Sequence, residues 1–374
     1  CLQRCSQIAG CCFRCRCCRA RVGGEDCVAV LPEPVAGDAG DADESVVWRE
    51  KVAELSARGF RLRHLLDFCQ SLGNPAVMPH FDATISKTND VVRQAVIPMS
   101  RLSGAWREVQ TGRAGTMLPA GQALATRMQD RVPLKAQIMV THNWDNLFAH
   151  LVAAVVAHAL GERTFEEVRT MMGQPNGLEK LRRRAANHDT LDMVLWICAF
   201  SINQHASICG GFGPQPAVGT PAFEAFDAKR RDTVTGLIFQ VCPCSTEKHF
   251  NGHKDVCELN KFDSMMRNLS LAPTSFFKHV VALDDQLDLF NRAWCVAELV
   301  EGRRLNLPQV LIIRNVACLP RSKAAALRKI RVQDCQASRA EDVKEILAKI
   351  DDKDQFNREL QAALFQGRGS LLGE

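Results

Sequence analysis

Length, composition and charge exclude several classes of protein. The chain has 374 residues, of which 46% are hydrophobic and 24% charged, a balance typical of a globular protein with a sizeable core. Its formal net charge of +5 is too small for a dedicated nucleic-acid binder unless the charge is clustered, so we expect no nucleic-acid partner. No tyrosine is present, which excludes any mechanism that needs a tyrosine phenol. The longest apolar runs are about eight residues, far short of the roughly 20 that span a bilayer, so no transmembrane helix is predicted.

The first 27 residues hold eight of the 17 cysteines and also five arginines. Three interpretations stay open: S-acylation beside a basic patch, which would attach residues 1–27 to a membrane surface; thiolate metal ligation; and a disordered low-complexity tail. The other nine cysteines are scattered among apolar segments, as in a reduced intracellular protein. We therefore expect a cytoplasmic protein, membrane-associated where its N-terminal cysteines are acylated. The eight N-terminal cysteines are Cys1, Cys5, Cys11, Cys12, Cys15, Cys17, Cys18 and Cys27.

Composition and periodicity divide the chain into five segments. A stretch rich in Pro, Gly, Ala and acidic residues is typical of a flexible linker and separates the Cys/Arg-rich start from the rest. The predicted segments are the Cys/Arg-rich residues 1–30, the linker 31–45, a helical N-terminal region 46–134, an α/β domain 135–320 and C-terminal helices within 321–374.

The N-terminal region is predicted to be helical only in part. Apolar spacing over residues 46–72 predicts two helical pieces broken at Gly59. A short helix is predicted at 89–97, with Asn89 as its cap. Residues 100–134 show no clear period and are predicted to be irregular.

Short apolar strands alternate with amphipathic helices in the second half of the chain. This alternation predicts a parallel sheet covered on both faces, and its order fits a doubly wound, flavodoxin-like α/β fold. A long insertion, residues 206–260, interrupts the pattern. The predicted strands are 137–141, 193–202, 278–283 and 307–313, and the predicted helices are 148–160, 262–269 and 289–300.

Polar residues follow three of these strands at the point where each strand ends. In doubly wound sheets the carboxyl ends of the strands meet at one edge, where ligands bind, so we expect these residues to line a pocket. A single polar residue in such a position also serves to cap a helix or close a turn, and that alternative stays open. The candidates are His142, Asn143 and Trp144 after the first strand, Asn203 and Gln204 after the second, and Asp284 after the third, with Trp294 in the helix that follows.

Glu298 is the most informative residue of the sequence. It follows Trp294 by one helical turn and lies at the edge of an apolar stripe, so its carboxylate faces either solvent or a cleft. A lone carboxylate in a cleft suits glycosidic chemistry, because it stabilises an oxocarbenium-like transition state or binds sugar hydroxyls beside the reacting carbon.

Two stretches carry a resemblance to a known family. RAWCVAELVEG at 292–302 resembles the S-x-W-C-x-x-E-L helix of Toll/interleukin receptor (TIR) domains. LWICAFSINQH at 195–205 is similar to the W-I-D-x-x-x-I-N-Q signature of fungal heterokaryon-incompatibility domains, which are themselves TIR-like. The resemblance covers roughly residues 135–315 and implies a TIR-like fold.

The resemblance implies one of two functions. Many TIR domains hydrolyse NAD at the nicotinamide–ribose bond, and the glutamate of the W-C-x-x-E helix is their catalytic residue, which corresponds to Glu298. In that case Trp144 would stack on nicotinamide or adenine. Other TIR domains are signalling modules that self-associate without catalysis. Two departures affect the substrate geometry: Cys198 stands where the family often has Asp, and the insertion 206–260 is longer than in a minimal TIR domain.

The insertion contains a second group of chemically active residues. Five sulfur or imidazole ligands occur within 16 residues, and any four of them would suit tetrahedral Zn²⁺. Because C-x-C with H-x₃-H-x₃-C is not a common zinc spacing, unligated cysteines are the alternative. The predicted zinc ligands are Cys242, Cys244, His249, His253 and Cys257.

Overall fold

A five-stranded, mostly parallel β-sheet lies at the centre of the fold. The computed structural model describes residues 45–109, 116–250, 253–271, 276–315, 325, 327–337 and 340–366. The strands in this part of the chain are β1 (Phe60–Arg61), β2 (Arg101–Val109), β3 (Thr116–Gly121), β4 (Ile138–His142), β5 (Val194–Ile197), β6 (Lys278–Ala282) and β7 (Gln309–Ile312). β2 and β3 form a separate antiparallel pair, and the other five form the sheet in the order β1-β5-β4-β6-β7.

The strand order is compatible with a doubly wound sheet. β4 pairs in parallel with β5 and β6, β6 pairs in parallel with β7, and the short β1 closes one edge by antiparallel pairing with β5. Counted along the chain, the four parallel strands lie in the order 2-1-3-4, which is compatible with a flavodoxin-like sheet. In such sheets ligands bind outside the carboxyl ends of the strands where the winding direction switches, here between β4 and β6.

Successive side chains of the parallel strands point to opposite faces of the sheet. Ile138 and Val140 of β4 belong to one apolar core, whereas Met139 between them belongs to another. On β6, Val280 lies in the first core and Val281 is buried on the opposite face. Both faces are therefore covered, as parallel sheets require.

Helices cover the two faces in separate groups. α2, α6 and α8 contact one another on the first face, while α1, α11, α12 and α14 form a continuous series on the second. The helices are α1 (Val46–Ser56), α2 (Leu62–Ser71), α3 (Thr88–Val91), α4 (Ile97–Met99), α5 (Leu124–Met128), α6 (Phe148–Ala159), α7 (Glu166–Met172), α8 (Gly177–Asn187), α9 (Cys198–Ser201), α10 (Pro221–Lys229), α11 (Phe262–Ser270), α12 (Ala293–Arg304), α13 (Ala340–Ala348) and α14 (Lys353–Phe365). A π-helical segment, Val92–Val96, joins α3 to α4, and 3₁₀ turns lie at Gln204–Ala206, Ile208–Gly210, Asp288–Asn291 and Val332–Asp334.

Most predicted elements of the α/β region are confirmed. The predicted strands at 137–141, 278–283 and 307–313 correspond to β4, β6 and β7. The predicted helices at 148–160 and 262–269 correspond to α6 and α11. Strong apolar periodicity at the length typical of each element explains this agreement.

The predicted strand at 193–202 is too long. β5 ends at Ile197, and the next four residues form α9, where the Ser201 hydroxyl accepts a hydrogen bond from the Ile197 amide (3.4 Å). An apolar run does not by itself distinguish a buried strand from a buried helix. The predicted helix at 289–300 similarly begins only at Ala293, after a 3₁₀ turn.

Two predictions for the N-terminal region are wrong. Residues 100–134 contain β2, β3 and α5, and the irregular register between Arg101 and Trp106 explains why no period of two is visible. Asn89 does not cap its helix, which begins at Thr88, because the side chain of Asp90 accepts a hydrogen bond from the Lys87 amide (2.7 Å) at the start.

The N-terminal region contributes directly to the sheet. Its β1 pairs with β5. Just before β1, the Gly59 amide donates to Leu134 O and the Leu134 amide to Ala57 O, both at 2.8 Å. The predicted boundary at 134/135 stays a prediction. Ser45 caps α1 by accepting from the Trp48 amide (3.1 Å), and the predictions made for residues 1–44 lie outside the described residues. No helix in the described part of the chain is both long and apolar enough to cross a membrane.

Candidate functional site

Glu298 of α12 lies against the carboxyl end of β4. Its side chain is buried, with 8% of its surface exposed, although the sequence placed it at the edge of an apolar stripe. The carboxylate accepts a hydrogen bond from the hydroxyl of Thr141, the residue before the last one of β4. An acidic side chain is therefore buried on the second face of the sheet.

A chain of hydrogen bonds continues from Glu298 across three strands. Because Thr141 donates its only hydroxyl hydrogen to Glu298, its oxygen accepts from His279 Nε2 on β6, 2.7 Å away. The other ring nitrogen of His279, Nδ1, then accepts from Gln309 Nε2 on β7 at 3.0 Å. Gln309 also donates to Leu299 O at 2.9 Å, so the chain returns to α12. Every member of this Glu298 network has a partner.

Burial dominates the electrostatics of this network. Loss of solvation raises the pKa of Glu298 to about 7, and the hydrogen bond from Thr141 opposes that rise. Burial lowers the pKa of His279 to about 4, so its imidazole is neutral near pH 7. Burial also raises the pKa of the Cys198 thiol to about 12, with the nearby charge of Glu298 adding to the effect. The carboxyl group is thus the member of the network that titrates near neutral pH.

A small cleft borders Glu298. Its volume is about 90 Å³, whereas pockets for drug-sized ligands measure about 300–1,000 Å³. One wall comes from α11 and α12, including Phe262 and Trp294, whose rings lie 5.8 Å apart between centroids. The opposite wall comes from the C-terminal helices and contains Ile346, Lys349, Ile350 and Phe356. In this conformation the cleft admits a small group and has no room for a dinucleotide.

His142 and Trp144 meet beside Cys198. The Trp144 Nε1–H lies 3.3 Å from the Cys198 sulfur, and His142 Nε2 lies 4.0 Å from the same sulfur. The Cys295 thiol of α12 contacts His142 O at 3.6 Å, which connects this group to the helix that carries Glu298. Burial lowers the pKa of His142 to about 4, so it too is neutral near pH 7.

Asn143 and Asp284 lie together at the switch between β4 and β6. Asp284 accepts hydrogen bonds from the amides of Asp288 and Leu289, both at 2.8 Å, and from the Asn143 side chain. Burial raises the pKa of Asp284, and these hydrogen bonds oppose that rise. The Asn143 side chain also accepts from the Asp145 amide at 3.0 Å. Both side chains therefore shape the loops at this edge.

Asn203 and Gln204 hydrogen-bond their own loop and the neighbouring ends of β3 and α9. Asn203 Oδ1 accepts from the His205 amide at 3.1 Å, and its Nδ2 donates to Gly121 O at 3.4 Å. Gln204 Nε2 donates to Cys198 O at 3.1 Å. Of the predicted pocket residues, Trp294 is the one that lines the cleft of Glu298, whereas these two amides hold the turn after β5.

Four side chains of the insertion and its entry form a second candidate site, called here the Cys₃His cluster. His205, Cys209, Cys242 and Cys244 place their ligand atoms within 4.8 Å of one another. The cluster can therefore hold a metal ion. Among the described residues, this is the cluster of possible metal ligands that the structure brings together. Three of its four members are buried.

The structure corrects the predicted ligand set in part. Cys242 and Cys244 belong to the Cys₃His cluster, but His249, His253 and Cys257 do not. The rings of His249 and His253 meet edge to face, with centroids 5.3 Å apart, and Cys257 is buried beside Lys261, whose Nζ donates to Cys257 O. His205 and Cys209 were missed because they lie about 30 residues before the C-x-C pair. Their own H-x₃-C spacing was the available signal.

Comparison with known proteins finds no relative of this chain. No protein-family model matches the chain, and neither a curated protein nor a solved structure matches it.

Proposed function

We propose that the α/β domain hydrolyses an N-glycosidic bond, with NAD as substrate and Glu298 as the catalytic carboxylate. One observation carries the proposal: a buried carboxylate lies directly behind the carboxyl end of β4, beside the switch between β4 and β6. The resemblance of 292–302 to the catalytic helix of TIR domains supports the same residue, and with it a TIR-like, flavodoxin-like fold for residues 135–320.

The chemistry requires the ionised form of Glu298. As the nicotinamide–ribose bond breaks, positive charge develops on the ribose, and a carboxylate in a water-poor site stabilises that charge strongly. Water then adds to the ribose carbon, which yields nicotinamide and ADP-ribose. His142, Asn143, Trp144, Asn203, Gln204, Asp284 and Trp294 are the proposed surroundings of the substrate.

Substrate entry requires the cleft to widen. At about 90 Å³ it is too small for a dinucleotide, and the wall formed by Ile346, Lys349, Ile350 and Phe356 belongs to the C-terminal helices. We propose that α13 and α14 move away from α12 when NAD binds. This movement would also expose Trp294 to the nicotinamide ring.

Incubation of the purified full-length chain with NAD, followed by chromatography for nicotinamide, tests the proposal. Glu298→Gln is expected to lower the rate by at least about 100-fold, a typical loss when a transition-state charge contact is removed. Glu179→Gln is the control and should keep the wild-type rate, because Glu179 is a partly exposed carboxylate of α8 that does not line the cleft. Absence of nicotinamide release by the concentrated wild-type protein would show that the enzymatic proposal is wrong.

A second candidate function is a non-catalytic TIR-like module that self-associates. The observation that favours it is the completeness of the Glu298 network, in which the carboxylate, Thr141, His279 and Gln309 satisfy one another inside the core. Light scattering at increasing protein concentration tests it. A mass that rises toward a dimer or larger assembly, without NAD cleavage, supports this candidate; a constant monomer mass contradicts it.

We further propose zinc as the metal of the Cys₃His cluster. Three thiolates and one imidazole form a donor set that suits tetrahedral Zn²⁺. Elemental analysis of protein prepared without chelator should give about one zinc per chain. A fully folded preparation without metal would contradict the proposal.

A further inference from the structure

We propose that the Cys₃His cluster is a closed structural site that fastens the insertion to the turn after β5, with His205 binding through Nδ1. The inference rests on the proposed zinc and goes beyond it, because it assigns the ligand atoms, an outer positioning residue and a mechanical role. Four protein ligands complete a tetrahedral site and leave no open position for substrate.

The hydrogen bonds of Ser100 fix the tautomer of His205. The Ser100 hydroxyl donates to Val96 O at 2.6 Å, so its oxygen accepts from His205 Nε2, 3.0 Å away. The proton of His205 is therefore on Nε2, and the lone pair of Nδ1 faces the cluster, 3.7 Å from Cys242 Sγ. A ligating histidine that donates its other N–H to a buried partner is the usual arrangement around protein metals.

The separations between ligand atoms fit one zinc ion. Zinc–sulfur bonds of about 2.3 Å at tetrahedral angles place two sulfurs about 3.8 Å apart. Cys209 Sγ and Cys244 Sγ are 3.5 Å apart, and Cys242 Sγ lies 3.7 Å from His205 Nδ1. Lys248 Nζ lies 3.5 Å from Cys244 Sγ, where its charge favours a thiolate. The four atoms are thus placed for ligation with only small movements.

Close packing around the imidazole shows that the ring position is built into the fold. A Cβ added to Gly121, the last residue of β3, would lie 2.1 Å from the His205 ring. The Gly121 amide also donates to Thr246 Oγ1 at 3.0 Å, within the insertion. Gly121 therefore allows the end of β3 to contact both the turn that carries His205 and the segment after Cys244.

The metal would join two parts of the chain that are distant in sequence. His205 and Cys209 lie in the two 3₁₀ turns that follow α9, and Cys242 and Cys244 come more than 30 residues after Cys209. Two backbone hydrogen bonds connect these two segments, from the Cys242 amide to Cys209 O (2.9 Å) and from the His249 amide to Ala206 O (2.8 Å). A site that closes such a long loop lowers the entropy of its unfolded forms. We expect both bonds to weaken when the metal is removed.

Metal titration of the full chain and its variants tests the ligand assignment. Wild-type protein is expected to bind one Zn²⁺ against a chromophoric chelator, and one Co²⁺ with the strong absorption of a tetrahedral thiolate site. His205→Ala and Cys244→Ser should each lose at least nine-tenths of this binding. His249→Ala and Cys257→Ser are matched controls from the same insertion and should retain it. Retained binding in His205→Ala, or its loss in His249→Ala, would overturn the assignment while leaving zinc itself in place; no binding by the wild type would overturn both.

Ser100→Ala tests the positioning role separately. Affinity for Zn²⁺ is expected to fall by about 10-fold or more, the usual effect of removing an outer partner of a metal-bound histidine. The cobalt spectrum should keep its tetrahedral thiolate form, and the zinc-bound protein should lose more unfolding free energy than the metal-free protein, which a merely structural role would not predict. Unchanged affinity overturns this role.

Hydrogen exchange at the Cys242 and His249 amides should speed up at least 10-fold on chelation, and unchanged exchange overturns the fastening role.

Discussion

The Thr141 hydroxyl of β4 donates a hydrogen bond to the carboxylate of Glu298 on α12, 157 residues later in the chain. This contact links the predicted catalytic residue to the strand end where doubly wound sheets bind ligands. It also links that residue, through His279, to the next strand of the sheet. Any function of Glu298 is therefore connected to the stability of the fold.

The first prediction concerns stability as a function of pH. Because the pKa of Glu298 rises from 4.5 to about 7 on folding, the folded protein binds this proton more tightly than the unfolded chain. Protonated Glu298 contributes its full stabilisation of the folded state below pH 4.5, and this contribution is lost as pH rises through 7. The free energy of unfolding changes by roughly 3 kcal/mol, at about 1.4 kcal/mol per pH unit. Glu298→Gln should remove this loss, so its stability relative to wild type should increase between pH 5 and 8.

Urea unfolding at several pH values measures this difference. Glu247→Gln, at an exposed carboxylate of the insertion, is the control and should keep the wild-type pH profile. Parallel profiles for Glu298→Gln and wild type would mean that the carboxylate is solvated in solution.

The second prediction concerns Thr141→Val. The substitution removes the hydrogen bond that lowers the pKa of Glu298, so that pKa should rise further above about 7. It also leaves His279 Nε2 without its partner inside the core, at a cost of about 1–3 kcal/mol in the free energy of unfolding. If the protein cleaves NAD, the pH of half-maximal rate should move upward, because the ionised carboxylate is required. A lower stability with an unchanged pH profile would separate Thr141 from the titration of Glu298.

The third prediction concerns Gly302→Ala on α12. An added Cβ would lie 2.6 Å from Gln309 Nε2 and 2.7 Å from His279 Nδ1, so it would break the hydrogen bond between them. We expect a loss of about 1–3 kcal/mol in stability, despite the better helix propensity of alanine. Gly173→Ala is the control, since its Cβ would make only an ordinary contact of 3.6 Å. Thermal unfolding compares the two, and equal midpoints would show that the Glu298 network has room to adjust.

The fourth prediction concerns residues 1–27, which lie outside the described residues. Eight cysteines beside five arginines supply both the acylation sites and the basic patch that stable membrane attachment needs, since one acyl chain binds only weakly. Removal of residues 1–27 should move the protein from the membrane fraction to the soluble fraction of cells, and hydroxylamine, which cleaves thioesters, should do the same. Full-length protein that is already soluble and insensitive to hydroxylamine would instead favour the disordered tail.

The α/β core was largely predictable because its signals are local. In α6 the apolar stripe recurs every three to four residues, and β4, β6 and β7 are short apolar runs. β1 was not predictable, because a two-residue strand has no period of its own and depends on pairing with β5. Helix α9 follows β5 without any change in apolarity, so only tertiary packing decides where the strand ends.

The sequence indicated which types of residue form the candidate sites, but it indicated less well which of those residues come together in space. The sequence singled out Glu298 as a carboxylate at the edge of an apolar stripe, but its burial and its bond to Thr141 depend on a contact between distant segments. The metal ligands show the same limit: sequence proximity grouped Cys242 with His249 and His253, whereas the fold places it beside His205 and Cys209. No short spacing rule joins ligand pairs that lie about 30 residues apart, so the H-x₃-C spacing of His205 and Cys209 was the one local signal for that pair.

The short strand β1 decides where a stable fragment of this chain can begin. Its residues pair with β5, and the amides of Leu62 and Arg63 donate at 3.0 Å to Met193 O and Leu191 O, in the segment just before β5. The indole N–H of Trp196 is likewise satisfied by Leu55 O of α1 at 2.9 Å. A fragment starting at residue 135 would expose an unpaired parallel strand and a bare indole, which is a template for aggregation. The shortest chain that keeps this edge covered therefore begins before α1, well ahead of the first parallel strand.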